Sequence, residues 1–183
     1  EEENLAPKKM QAKKVLKIAL RLLWILIGAS FALFLALLAT KPPTSPLLLA
    51  SLGGSTIFLF GLTRAPAAQP RALFGGHLLS ALIGIICYQA FGDDLWVFIT
   101  AEILTLAVLL LTQTVHPPAG ANPLIMIQAH AGFSHLTEVV LLGVTILAIV
   151  AAIWSRITPG KTISYPVKWN CPSPAAKNWS IWE

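Results

Sequence analysis

Charge is what this sequence has least of. Asp, Glu, Lys and Arg make up 11% of its 183 residues, against about 25% in a soluble globular domain, so an ordinary water-facing surface is excluded. Cysteine is scarce as well: Cys87 and Cys171 form no C-x-x-C pair, which leaves zinc and redox motifs unsupported and buried thiols as the plain reading. H-E-x-x-H and G-x-S-x-G do not occur, and no Ser–His or paired-acid spacing stands out, so enzyme chemistry lacks a motif. The net charge of +5 does not point to nucleic acid. Its basic residues gather at the ends of apolar runs, where they orient a chain in a membrane.

What the chain has instead is apolar length. Its mean hydropathy is +0.73. Five stretches approach or exceed the ~17–20 residues of a spanning helix. They are "IALRLLWILIGASFALFLALLA" (18–39), "PLLLASLGGSTIFLFGL" (46–62), "ALFGGHLLSALIGIICYQAF" (72–91), "LWVFITAEILTLAVLLLTQTV" (95–115) and "LTEVVLLGVTILAIVAAIW" (136–154). The fold class is all-α integral membrane. The first stretch is longer than a signal-peptide core of ~7–15 residues, and no A-x-A site closes it, so it reads as a retained helix. Three regions follow: a basic arm (1–17), a transmembrane domain (18–155) and a Trp- and Pro-rich tail (156–183) that cannot be a further span.

Between the fourth and fifth stretches lies "HPPAGANPLIM" (116–126). Asn122-Pro123 reads as an N-cap with proline at the first helical position. The helix it starts, "PLIMIQAHAGF", would rise only ~16 Å, about half the ~30 Å core. Pro117 and Pro118 make the preceding stretch a structural break. Irregular backbone at membrane depth needs protein or a wet cavity to satisfy it. Basic residues decide whether the segment crosses. With the N-terminus inside and six crossings, twelve of the thirteen Lys and Arg lie inside, Lys41 being the exception; without this crossing, four of the twelve move outside. About six spans, one of them broken, with both termini inside is therefore the expectation. "KPPTSPLLL" (41–49) echoes the break, Ser45 matching Asn122 and Pro46 matching Pro123. Three crossings per copy would make a 3+3 inverted repeat of the kind secondary transporters use, although X-Pro-Pro at a helix end is also ordinary punctuation.

"HPPAGA" (116–121), "QPRALFGGHLLSALIG" (69–84) and "LGGSTIFLF" (52–60) together resemble the HPP family of integral membrane proteins over roughly residues 46–155. Family members are usually described with four spans, so the six-span count adds the first helix and the broken segment. Members from cyanobacteria and chloroplasts are implicated in nitrite transport. The resemblance thus implies transport of nitrite across a cyanobacterial plasma membrane or a chloroplast inner envelope, with the termini on the cytoplasmic or stromal side.

A small anion in transit needs donors without a trapping full charge, and a helix N-terminus supplies them. Gly120, Ala121 and Asn122 are therefore candidate substrate contacts. His116, at the mouth of the break, either meets the anion, carries a proton, or caps a carbonyl freed by the prolines. Ser55 and Thr56 follow Gly53-Gly54 and could place two hydroxyls near the midplane, though paired glycines more often serve helix packing. His77, Glu102 and Gln113 are candidates for a proton relay or cavity lining; Glu102 is the one acid well inside a span, where a carboxylate is costly, unless it snorkels to the interface. The expected partners are the bilayer, the anion and, optionally, further copies in a homo-oligomer. No metal or cofactor is expected. A non-transporting sensor or assembly subunit, and less readily a membrane enzyme, are the alternatives.

Overall fold

The computed structural model describes residues 2–40, 48–160 and 164–175. All its regular elements are helical. The first, α1 (Glu2–Thr40), runs unbroken through the basic arm into the first apolar stretch. Next come α2 (Leu48–Thr56), which ends in a π-helical turn at Ile57–Gly61, and a 3-10 turn at Pro66–Ala68. The helices α3 (Pro70–Phe91) and α4 (Leu95–Thr112) follow, then the break, then α5 (Asn122–Gln128) and α6 (Leu142–Ile157), the last led in by a π-helical stretch at Leu136–Leu141.

Among the described residues four helices are long and apolar enough to cross a membrane: Gln11–Thr40, Pro70–Phe91, Leu95–Thr112 and Leu136–Ile157. The expected count of six is not reached on length. The second apolar stretch is a shorter helix, Ala50–Gly61. The segment after the break is shorter than expected too, because α5 has seven residues and stops at Gln128. The first proline break, residues 41–47 with Ser45 and Pro46, lies outside the described residues, and so does the comparison of the two repeats.

Helix α3 is the axis of the molecule, and its sequence explains why. Gly76, Ser80 and Gly84 recur every four residues, which lines small side chains along one face of a helix. Neighbouring backbone can then approach closely. A Cβ on Gly84 would sit 2.6 Å from Cα of Pro123, and one on Gly76 would lie 2.9 Å from Cβ of His116. The break and α5 are thus pressed into α3. Ala81 and Ile85 of α3 pack with Ile125 and Met126 of α5, and Cys87 packs with Val97 and Ala101 of α4 and with Ile127. On the other side a larger core joins α1, α2 and α6 through Ala32, Ala36, Leu52, Leu59, Val144 and Leu147. Trp24 of α1 stacks on Trp154 of α6, with ring centroids 4.6 Å apart.

The outward faces are as apolar as the core. Leu95, Ile103, Leu106 and Leu111 stand exposed along α4, which suits a surface solvated by lipid tails. The described part of the tail folds back under the bundle. Gln69 Oε1 accepts the backbone N–H groups of Val167 and Lys168 at 2.9 and 3.1 Å, and Tyr165 is buried in the α1–α2–α6 core.

Candidate functional site

The break is built by its prolines. Helix α4 ends at Thr112 and is capped by Gln113, which takes the left-handed conformation at φ 54. A residue before proline is pushed out of the helical region, and His116 accordingly is extended at φ −125, ψ 101. Its ring is thereby turned off the helical path and into the protein. Pro117–Ala121 then form a 3-10 turn that passes directly into α5.

This local geometry corrects one expectation. Asn122 is not an N-cap: it is helical itself, at φ −62, ψ −41, and its N–H donates to the carbonyl of Ala119. The Ala119 N–H likewise donates to His116 O at 2.8 Å, and the two prolines have no N–H to offer. The break therefore presents no free helix end of the kind expected. Its polar capacity lies in side chains.

Four of these meet. Ser55 Oγ lies 2.8 Å from His77 Nε2 and 2.8 Å from His116 Nε2. Asn122 Nδ2 lies 3.0 Å from His77 Nδ1 and donates to His77 O at 3.1 Å. His116 Nδ1 reaches the carbonyl of Ala67 at 2.6 Å. All four side chains are buried, none more than 2% exposed. Phe58 covers the His116 ring edge-on, at a centroid distance of 5.2 Å.

Hydrogen-bond roles constrain the proton positions. The His77 carbonyl can only accept, so the Asn122 amide turns its NH2 toward His77. That makes His77 Nδ1 an acceptor and leaves its proton on Nε2, donating to Ser55 Oγ. At the far end the Ala67 carbonyl also only accepts, so His116 carries its proton on Nδ1 and offers a lone pair at Nε2. The Ser55 hydroxyl can donate there. With that donation, one chain of bonds runs Asn122 → His77 → Ser55 → His116 → Ala67. The Ser55 hydroxyl has a second acceptor, the Ser51 carbonyl at 2.8 Å, so its single proton serves either of two partners.

The remaining sequence candidates fall outside this cluster. Thr56 Oγ1 turns back onto its own helix, donating to Gly53 O at 2.7 Å. Of the glycine pair beside it, Gly54 packs on Pro118, where a Cβ would come within 3.0 Å, while Gly53 faces open space. Gly120 and Ala121 are half-buried and contribute no side-chain hydrogen bond. Glu102 faces a crevice of about 290 Å³ with Phe98, Ile99, Ile103 and Leu124, and its Oε2 is buried without a partner. Gln113 serves through its backbone, accepting the Ser173 N–H at 2.9 Å while Ser173 O receives the Val115 N–H at 2.9 Å. The tail is thereby stitched beneath the break, a contact the sequence reading did not foresee. Arg71 adds a clamp, donating to Thr112 O and Asn170 Oδ1 at 2.8 Å each. Among the described residues no three His, Cys, Asp or Glu side chains converge as a metal site.

The motif that shapes this cluster is matched by a family model, described as HPP, transmembrane region, over residues 16–166. The chain belongs to the HPP family. Among curated relatives it is similar to two transmembrane proteins of Dictyostelium discoideum. One is 31% identical over 130 residues, covering 67% of this chain and 45% of the relative. The other is 32% identical over 130 residues, covering 67% of this chain and 41% of the relative. The chain thus spans less than half the length of these relatives. No solved structure matches it significantly. Of the HPP triplet, His116 supplies one ring of the cluster, and its two prolines supply the bend that aims it.

Proposed function

We propose that this integral membrane protein passes a small inorganic anion, nitrite foremost, by way of Ser55, His77, His116 and Asn122. One observation supports the reading above others. Three separate stretches and the break each send one polar side chain to the same buried point, where the four are linked by hydrogen bonds. Polar groups inside a membrane protein are costly and tend to mark pathways. The cluster holds donors without a fixed charge. Their present partners are ring nitrogens, a hydroxyl and carbonyls, and a bond to an ion is roughly twice as strong as one between neutral groups. An arriving anion can therefore draw the Ser55 hydroxyl and the Asn122 amide away from these partners, and no cation is there to hold it permanently.

The transport path is completed in this proposal by six crossings, the shorter α2 unit and the 3-10/α5 unit each spanning with help from non-helical chain. Both termini then lie on the basic, inner side. Location in a cyanobacterial plasma membrane or chloroplast inner envelope, and assembly into a homo-oligomer, belong to the same proposal. Purified protein in liposomes, offered nitrite, nitrate, formate and chloride in turn, is the test. Nitrite flux that falls at least tenfold in His116→Ala, with the variant still monodisperse, is the expected result. Silence toward every anion from a folded wild-type protein would turn the assignment to a sensor or assembly subunit.

A further inference from the structure

A second feature lies away from the cluster, where α1 leaves the bundle. Lys13, Lys17 and Arg21 are spaced by four, so they share one face of α1, and Leu16, Leu20 and Trp24 lie beside them on that face. This stripe walls a crevice of about 1170 Å³ whose opposite wall includes Arg64, just past the end of α2. The floor is closed by the Trp24–Trp154 stack and by the Trp24 Nε1 donation to Thr158 Oγ1 at 2.9 Å. None of the four cations has a hydrogen-bond or ion-pair partner among the described residues, and no acidic side chain lines the crevice.

Depth in the membrane gives the crevice its chemistry. The apolar part of α1, Gln11–Thr40, has 30 residues, or ~45 Å at 1.5 Å each. That exceeds the ~30 Å hydrocarbon core by about ten residues. If Thr40 marks the far edge of the core, Lys13 and Lys17 stand at headgroup level, Arg21 lies at the core boundary within snorkelling reach of it, and Leu23 and Trp24 mark where acyl chains begin. The lower wall is continuous with the lipid-facing surface, since Leu20, Leu23 and Ile27 are all about half exposed. The volume is larger than the ~300–1,000 Å³ of a drug-sized pocket. It suits a two-chain amphiphile better than a small solute.

We propose that this crevice holds one anionic phospholipid, its phosphate among Lys13, Lys17, Arg21 and Arg64 and its chains against Leu20 and Trp24. Charge complementarity selects the headgroup, because four cations line one crevice and no acidic side chain among the described residues lines it. The apolar lower wall selects a lipid from the bilayer over free phosphate. Basic pockets between helices on the inner side are recognised sites for such headgroups. The proposal is independent of what the protein transports.

The test uses the full chain in vesicles of equal phosphatidylglycerol and phosphatidylcholine, followed by native mass spectrometry of the retained lipid. Wild-type protein should keep one phosphatidylglycerol in preference to phosphatidylcholine, and millimolar inorganic phosphate should not displace it. The Lys17→Gln, Arg64→Gln double variant should bind it about 25-fold more weakly, fivefold per cation, which corresponds to ~1 kcal/mol each. Lys14→Gln removes an equal charge from the neighbouring face and should leave retention unchanged. A brominated phosphatidylglycerol should quench a component of tryptophan fluorescence that is lost in Trp24→Phe. Equal retention of the two lipids, displacement by inorganic phosphate, or a loss in Lys14→Gln as large as in Lys17→Gln would each overturn the site. A dimer with the crevice filled by a second copy would do the same.

Discussion

Ser55 and His116 stand sixty-one positions apart in the chain, yet Ser55 Oγ lies 2.8 Å from His116 Nε2. The serine is also within reach of His77 Nε2 at 2.8 Å, so one hydroxyl joins α2 to both α3 and the break. The consequence is mechanical as well as chemical. Whatever moves α2 must disturb both imidazoles together.

Ser55→Ala should therefore cost more than an ordinary serine deletion. It leaves the His77 Nε2–H buried without an acceptor, a loss of ~1–3 kcal/mol. Thr56→Ala next to it loses only a bond to its own helix and should cost less than ~1 kcal/mol. Thermal unfolding of the two variants in one detergent compares them directly. Equal melting temperatures would mean that the serine is not the shared partner of the two rings.

Asn122→Asp separates the present geometry from a simple helix cap. At an N-cap the two residues are nearly equivalent, and stability would hold. Here the amide NH2 faces a carbonyl and a ring nitrogen, and a carboxylate would set acceptor against acceptor in a buried place. A loss of at least ~1–3 kcal/mol is expected, together with loss of anion flux. A fully stable Asn122→Asp protein would refute the amide orientation.

The helix-packing face of α3 predicts an asymmetry among glycines. Gly84→Ala would place its Cβ 2.6 Å from the Pro123 backbone, which cannot move like a side-chain tip, so a loss of ~1–3 kcal/mol is expected. Gly53→Ala meets nothing within 4 Å and should gain up to ~0.5–1 kcal/mol from helix propensity. Opposite signs in a melting comparison are the expected outcome, and a neutral Gly84→Ala would contradict the close approach of α5 to α3.

The crossing number is open to direct measurement. With Cys87 and Cys171 replaced, single cysteines placed in the arm before Lys13 and in the tail after Trp169 should react alike with an impermeant thiol reagent. Labelling of the two ends from opposite sides of a sealed vesicle would exclude six crossings.

Much of this was legible in the residues. Apolar length without charge determined an all-helical membrane protein, because only a helix can satisfy its own backbone in lipid within one segment. Adjacent prolines determined that the chain breaks after α4 and that His116 is extended, since both effects are local sterics. The small residues of α3 determined which of its faces could be approached. Tertiary structure alone decided which polar side chains meet. Both the lipid-facing and the core-facing sides of these helices are apolar, so the hydrophobic pattern that reveals a soluble helix's inner face carries little phase information here. Ser55 and Thr56 are neighbours in sequence, yet only Ser55 points at the histidines. Glu102 and Gln113 look as eligible as His77, yet α4 turns one toward a separate crevice and ends in a left-handed residue at the other. Asn122 reads as a cap from its position before Pro123, but the 3-10 turn running into α5 leaves it no end to cap, and His77, forty-five residues away, takes its amide instead.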